Sequence, residues 1–189
     1  MKRLILAVLI ALGWLFINEP LKAANILYFT SAPGSWVGHG QTETFTSPTT
    51  DFSAVFIEPY DNEVSLRFID GITNRYFLDL IGPAQTLPTV GFYPNATRYS
   101  VSNPGVGLDF LGNGRADNTL TGYFNVLQAD YGISGNIVSF AVDFTQYDDS
   151  VTANWVSGSF RYNSDIPIPE PATLLLLGLG GLMLRRKRS

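Results

Sequence analysis

The chain has no cysteine, which removes a disulfide framework, thiolate metal sites and a thiol nucleophile. It has a single histidine, His39, between Gly38 and Gly40. A Ser-His-Asp site would have to rest on that residue, and a glycine-flanked loop is a poor place to hold a base in register, so His39 reads as a solvated loop histidine. Lysine is missing from residues 25–168, where five arginines face fourteen acidic residues for a net charge of −9. Such an acidic stretch repels phosphate backbones and excludes nucleic acid as a partner on electrostatic grounds. Helical periodicity is missing too, since no segment there repeats apolar residues at i, i+3, i+4 and i+7 for more than a turn. Without disulfides, stability has to come from an apolar core, and these 144 residues are enough to build one.

What fills the region is short runs of alternating apolar and polar residues bounded by Gly, Pro, Asn and Asp, the pattern of half-buried strands. Phe52–Ile57 is one such run. Val64, Leu66 and Phe68 form another, and a turn at residues 70–74 leads into 75–81, which predicts a β-hairpin. Proline and glycine cluster between Gly82 and Gly107, so strands there should be short, with residues 98–101 and then 106–111 the best candidates. The last third is clearest: strands over 119–130, 137–147 and 151–162, with connections too short for parallel crossovers, predict an antiparallel meander. The expected fold is all-β, an antiparallel β-sandwich or jelly roll over residues 25–165.

The two ends differ from this middle. Met1-Lys2-Arg3 precedes fourteen apolar or small residues, Leu4 to Ile17, and small residues follow at Ala23-Ala24. Residues 1–24 therefore read as a signal peptide, helical across its apolar run and cut by signal peptidase. At the other end, Pro169-Glu170-Pro171 opens onto an apolar block, Ala172 to Leu184, which stops at Arg185-Arg186-Lys187-Arg188. As a helix, residues 172–184 span about 20 Å against about 30 Å of hydrocarbon, a short transmembrane segment that a thinned bilayer and snorkelling arginines can accommodate. The basic residues act as a cytoplasmic stop, which places Pro169-Glu170-Pro171 just outside the inner membrane. The prolines keep that stretch extended, as a protease requires of its substrate.

This tail, residues 166–189, resembles the PEP-CTERM sorting signal of bacterial surface proteins, and Pro169, Glu170 and Pro171 match its motif position by position. The resemblance implies export across the inner membrane and recognition by an integral-membrane exosortase. It also implies delivery to the envelope, then to a cell surface or matrix rich in exopolysaccharide, as in a biofilm. The region ahead of the tail resembles, only vaguely, small secreted domains carried by such tails, through residues 118–122 and 144–147, and that likeness brings no activity.

For chemistry the sequence offers little. Asp61, Asp70, Asp117, Asp148 and Asp149 sit in turns, where aspartate serves local hydrogen bonds, so a paired-carboxylate glycosidase is the third choice. Asp109, Asn113 and Asp117 are the nearest approach to a calcium loop, though they do not fit the EF-hand spacing, and no cofactor is expected. Sugar stacking is the sharper alternative. Trp36, Tyr93 and Trp155, with Tyr60, Tyr99 and Tyr131 behind them, lie in or beside expected loops and could face polysaccharide, although core packing is the commoner use of such rings. The expectation is a non-enzymatic surface or matrix protein, with a polysaccharide-binding module as the alternative.

Overall fold

The computed structural model describes residues 24–46, 50–56, 62–71, 73–98, 104–133 and 136–168. Ten strands follow in order: β1 (Ala24–Ser31), β2 (Thr42–Thr46), β3 (Phe52–Phe56), β4 (Val64–Asp70), β5 (Asn74–Ile81), β6 (Gly91–Arg98), β7 (Gly107–Gly112), β8 (Thr121–Tyr131), β9 (Ile137–Tyr147) and β10 (Trp155–Ser164). The all-β expectation holds. The strands form one continuous sheet, β2-β1-β10-β9-β8-β6-β7-β5-β4-β3, rather than the two separate sheets of a sandwich. It is mixed, because β6 and β7 run parallel over Thr97↔Gly107 and Arg98↔Leu108. It also curls into a half-barrel, so that its two wings face each other across the core. Both expected ends, the signal peptide and the segment 172–184, lie outside the described residues. Among the described residues no helix is long and apolar enough to cross a membrane.

Aromatic rings drive the curl. Phe29 on β1 meets Tyr76 on β5 and Phe110 on β7, with centroids 5.1 and 5.4 Å apart. Phe110 meets Phe144 on β9 at 4.8 Å, and Phe52 on β3 meets Phe160 on β10 edge-on at 5.7 Å. Near the two open edges, Phe45 on β2 stacks on Phe68 of β4 at 4.6 Å. Each pair joins one wing to the other. Such pairs are worth about 0.5–1.5 kcal/mol beyond the area they bury, which favours the curled sheet over a flat one. Room for the rings comes from Gly158, which lies in register between Phe29 and Phe144.

The hairpin expected at 70–74 is present, with Asp70 paired to Asn74. The meander β8-β9-β10 is also as expected, except that Val138 is half-exposed rather than buried with Phe140, Val142 and Phe144. Of the strand expected at 98–101 only Arg98 is described, and it closes β6, which begins at Gly91 despite containing Pro94; residues 99–101 lie outside the described residues. A register shift between Tyr93 and Ala96 absorbs the proline, which has no N–H to offer the ladder, and Asn95 takes a positive φ of 56° there. Strand β1 begins at Ala24, one residue ahead of the expected boundary.

The topology sets two poles. β9 has eleven residues, so its ends lie about 34 Å apart. At its start, β10 finishes beside it (Tyr162↔Phe140) and Ala24 lies opposite Ser164. At its finish, Tyr147 leads into the turn 148–154 and back into Trp155. The root of the sorting tail therefore sits at one pole, and the β9–β10 turn at the other.

Candidate functional site

Three loops meet at the pole away from the tail: residues 32–41, residues 113–119 and the turn 148–154. Asp148 joins the first to the third. Its buried carboxylate accepts from Ser35 Oγ at 2.6 Å, from Val37 N at 3.2 Å and from Gln146 Nε2 at 2.9 Å. Arg115 adds the second loop by donating Nε and Nη2 to Val37 O at 3.2 and 3.1 Å. Asp117, also buried, accepts from Thr119 N at 2.9 Å and from Asp149 N. At Gly34 the first and third loops lie close together, since a Cβ would stand 2.4 Å from Asn154 Oδ1 and the Asn154 side chain would have to swing aside.

Between these loops lies a cleft of about 590 Å³. Trp36 stands at it with 55% of its surface exposed, and His39 lies beside it, ring centroids 5.9 Å apart. Asp117, Asn118 and Asp149 supply the polar wall. An exposed indole beside amide and carboxylate groups offers an apolar face and hydrogen-bond partners to the same ligand. Trp36 is thus where the sugar-stacking expectation would put it.

Trp155 and Tyr93 have different surroundings. Trp155 is half-buried and belongs to an aromatic row that the sequence reading missed. Trp155 pairs with Tyr147, and because Val156 and Gln146 beside them are buried inward, both rings face outward. Tyr123 lies diagonally across the next strand pair and shares a hydrogen bond with Tyr147. Phe92 on β6 follows, its ring 5.7 Å from that of Tyr123. Phe92 and Tyr123 are 61% and 38% exposed. Four rings therefore cross four neighbouring strands, β10, β9, β8 and β6, over at least about 14 Å at the usual strand spacing. Partial burial and the neighbouring Tyr123 hydroxyl raise the pKa of the Tyr147 phenol, so Tyr147 stays a neutral hydrogen-bonding group at any physiological pH.

Tyr93 does not join the row. Its ring stacks on Phe124 at 4.6 Å on the core side, and its hydroxyl donates to Thr89 O at 2.9 Å while accepting from Thr89 N at 2.8 Å. Tyr131 is also a packing residue, set against Phe56 and Phe140 with its hydroxyl donating to Pro88 O at 2.6 Å. Tyr60 and Tyr99 lie outside the described residues.

The calcium candidates do not converge. Asp109 lies on β7 and pairs with Arg98 at 3.4 Å. Asn113 accepts from Arg75 N at 2.8 Å and donates to Tyr76 Oη at 3.1 Å. Asp117 caps the loop at the cleft, as described. Each serves a different part of the structure, and among the described residues no group of three His, Cys, Asp or Glu is arranged to hold a metal ion. Asp148 also corrects the reading of turn aspartates, because its partner Ser35 lies 113 residues away.

Fold and site together describe an acidic all-β ectodomain with an aromatic outer surface. The chain carries the PEP-CTERM protein-sorting motif at residues 167–188. The motif marks the protein for export, delivery to the envelope or surface, and processing by an exosortase, a membrane protease. Pro169, Glu170, Pro171 and the basic residues 185–188 fall within the matched range but outside the described residues. Searches of curated proteins and of solved structures find no match to the chain.

Proposed function

We propose that the protein is a non-catalytic, exosortase-sorted surface or matrix component whose ectodomain binds polysaccharide. The observation that carries this reading is the outward row Trp155–Tyr147–Tyr123–Phe92, which crosses four strands and of which Tyr147, Tyr123 and Phe92 line a shallow hollow of about 380 Å³. Cross-strand contacts between the rings add to the sheet's stability, yet Phe92 and Tyr123 still leave apolar area in water at about 25 cal/mol per Å². A sugar chain laid along the row removes that area from water while its hydroxyls reach Asn125, Thr121 and the Tyr123 and Tyr147 phenols. With a net charge of −9 over residues 25–168, the ligand should be a neutral or amino polysaccharide, not a uronic-acid polymer. The cleft stands at the pole away from the tail root, facing outward from a membrane that holds the tail.

The test is affinity electrophoresis and glycan-array binding with residues 24–168, which keep β1 and the first residues of the tail. Retardation by neutral or amino polysaccharides is expected, with a loss of at least tenfold in Tyr123→Ala and Phe92→Ala, two exposed positions where folding tolerates the change. No binding across the array would leave the purely structural role.

A further inference from the structure

The last turn of the ectodomain is held by a residue no ligand site requires. Arg161 on β10 is fully buried although its position in the ladder points it outward. Its guanidinium donates Nη1 to Val142 O at 2.8 Å and to Phe160 O at 3.2 Å, and Nη2 to Asp143 Oδ1 at 2.8 Å. Its Nε donates to Ile166 O at 3.2 Å. Ile166 is five residues further along, and an extended chain would have carried it about 17 Å away. The chain therefore folds back after β10. Asn163, at a positive φ of 47°, sits at the register shift where β10 leaves β1, with its N–H donating to Asn25 Oδ1 at 2.9 Å and its Nδ2 to Val138 O at 3.2 Å.

The other backbone group of Ile166 is held as well. Its N–H donates to Ser164 Oγ at 3.2 Å, and that hydroxyl donates to Gln128 Oε1 on β8 at 2.7 Å. Ile166 is thus held by two side chains of β10, which are themselves anchored on β8 and β9. Ile166 lies three residues before Pro169, and three residues reach at most about 11 Å. Burying an arginine is costly unless every donor is used, and here one of its bonds is spent on chain beyond the last strand.

We propose that Arg161 is a positioning residue for processing of the sorting tail: it holds Ile166 on the folded ectodomain and so restrains entry of the Pro169-Glu170-Pro171 segment into the membrane protease. A protease binds its substrate as several extended residues on both sides of the cut. Residues 166–168 cannot lie in that cleft and on Arg161 at once, so the clamp opens before cleavage, and its strength sets the processing rate. The clamp acts on the processing that the sorting motif specifies and is independent of what the ectodomain binds.

The experiment follows full-length protein in cells that make the exosortase, with pulse-chase measurement of the shift from the tailed to the processed form. Ser164→Ala removes the Ile166 N–H bond without exposing a buried charge and should speed processing at least threefold. Insertion of four Gly/Ser residues between Ile168 and Pro169 leaves the clamp intact but adds reach, and should speed it likewise. Arg161→Met should do the same if it folds; the first two variants decide the matter if it does not. Hydrogen exchange at the Ile166 amide of the purified protein should rise in Ser164→Ala and stay at the parent level in the insertion variant. Unchanged or slower processing in Ser164→Ala, with Ile166 exchange raised, would overturn the proposal. Tailed protein that accumulates unprocessed in the parent and in every variant would overturn the proposal together with the processing it acts on.

Discussion

Gln146 on β9 hydrogen-bonds both backbone groups of Phe110 on β7: Phe110 N donates to Oε1 at 2.8 Å, and Nε2 donates to Phe110 O at 3.1 Å. β7 has β5 along one edge and, among the described residues, β6 along only the start of the other, so no described strand pairs with that edge at residue 110. The fully buried Gln146 side chain takes that strand's place and also donates to Asp148, the residue that organises the cleft. Gln146→Leu should cost about 3 kcal/mol, because it strands a buried N–H and C=O together. Urea denaturation measures it, and a cost below about 1 kcal/mol would mean that water replaces the amide. Gln146→Glu keeps the acceptor, loses both donated bonds and sets a carboxylate beside Asp148, so its deficit should be larger at pH 8 than at pH 5.

Asp79 and Asp109 face each other across β5 and β7. Burial pushes both up to about 6, Ser65 and Arg98 respectively pull in the other direction, and Asp79 further raises Asp109. Both carboxyls thus bind protons more tightly in the folded protein than in the unfolded chain, where their pKa is about 3.9. Their contribution to stability is complete below about pH 4 and is lost as pH rises through about 6. The ectodomain should melt at a lower temperature at pH 8 than at pH 5. Asp79→Asn should flatten that dependence and raise the Tm at pH 8; an unchanged profile would show that the pair does not govern it.

Asp148→Ala removes the acceptor shared by Ser35, Val37 and Gln146. Hydrogen bonds to a charged group are worth about 1.5–3 kcal/mol each in net terms, and partial relaxation should leave a total loss of about 3 kcal/mol. The loop bearing Trp36 should then loosen, with a red shift in tryptophan emission and weaker polysaccharide binding at temperatures where the sheet is still folded. Full retention of binding would place the ligand on the aromatic row alone.

Gly158 has no room for a methyl group. A Cβ there would stand 2.5 Å from Tyr28 O and 2.8 Å from the Phe144 ring. Backbone on one side and a buried ring on the other leave nothing that can swing away, so Gly158→Ala should cost about 2–3 kcal/mol. Thermal unfolding would show it, and a neutral result would mean that the wings separate more readily than their aromatic contacts imply.

Alternation made β3, β4, β5, β7, β8 and β9 legible, because a half-buried strand writes its two faces into successive residues. The part of β6 ahead of Arg98 was not legible because Pro94 argues against a strand, and only the bulge at Tyr93–Ala96 allows it. The cleft was half legible. Trp36 and Asp117 could be named from the sequence, but their meeting depends on Asp148 reaching Ser35 across 113 residues. The aromatic row left a signal that could have been read: Tyr123 occupies a polar-face position in β8, opposite the buried Gly122 and Phe124.

By itself the sequence determined the class of the fold, the acidic character and the sorting tail, because each is written in neighbouring residues: period-two alternation, charge content, and an ordered motif, apolar block and basic end. Only the tertiary structure decided that the strands form one curled sheet, that four rings from four strands line up on its outer face, and that Arg161 holds Ile166. Those are relations between distant or folded-back segments, fixed by strand register and by buried polar groups finding partners, and no local pattern encodes them.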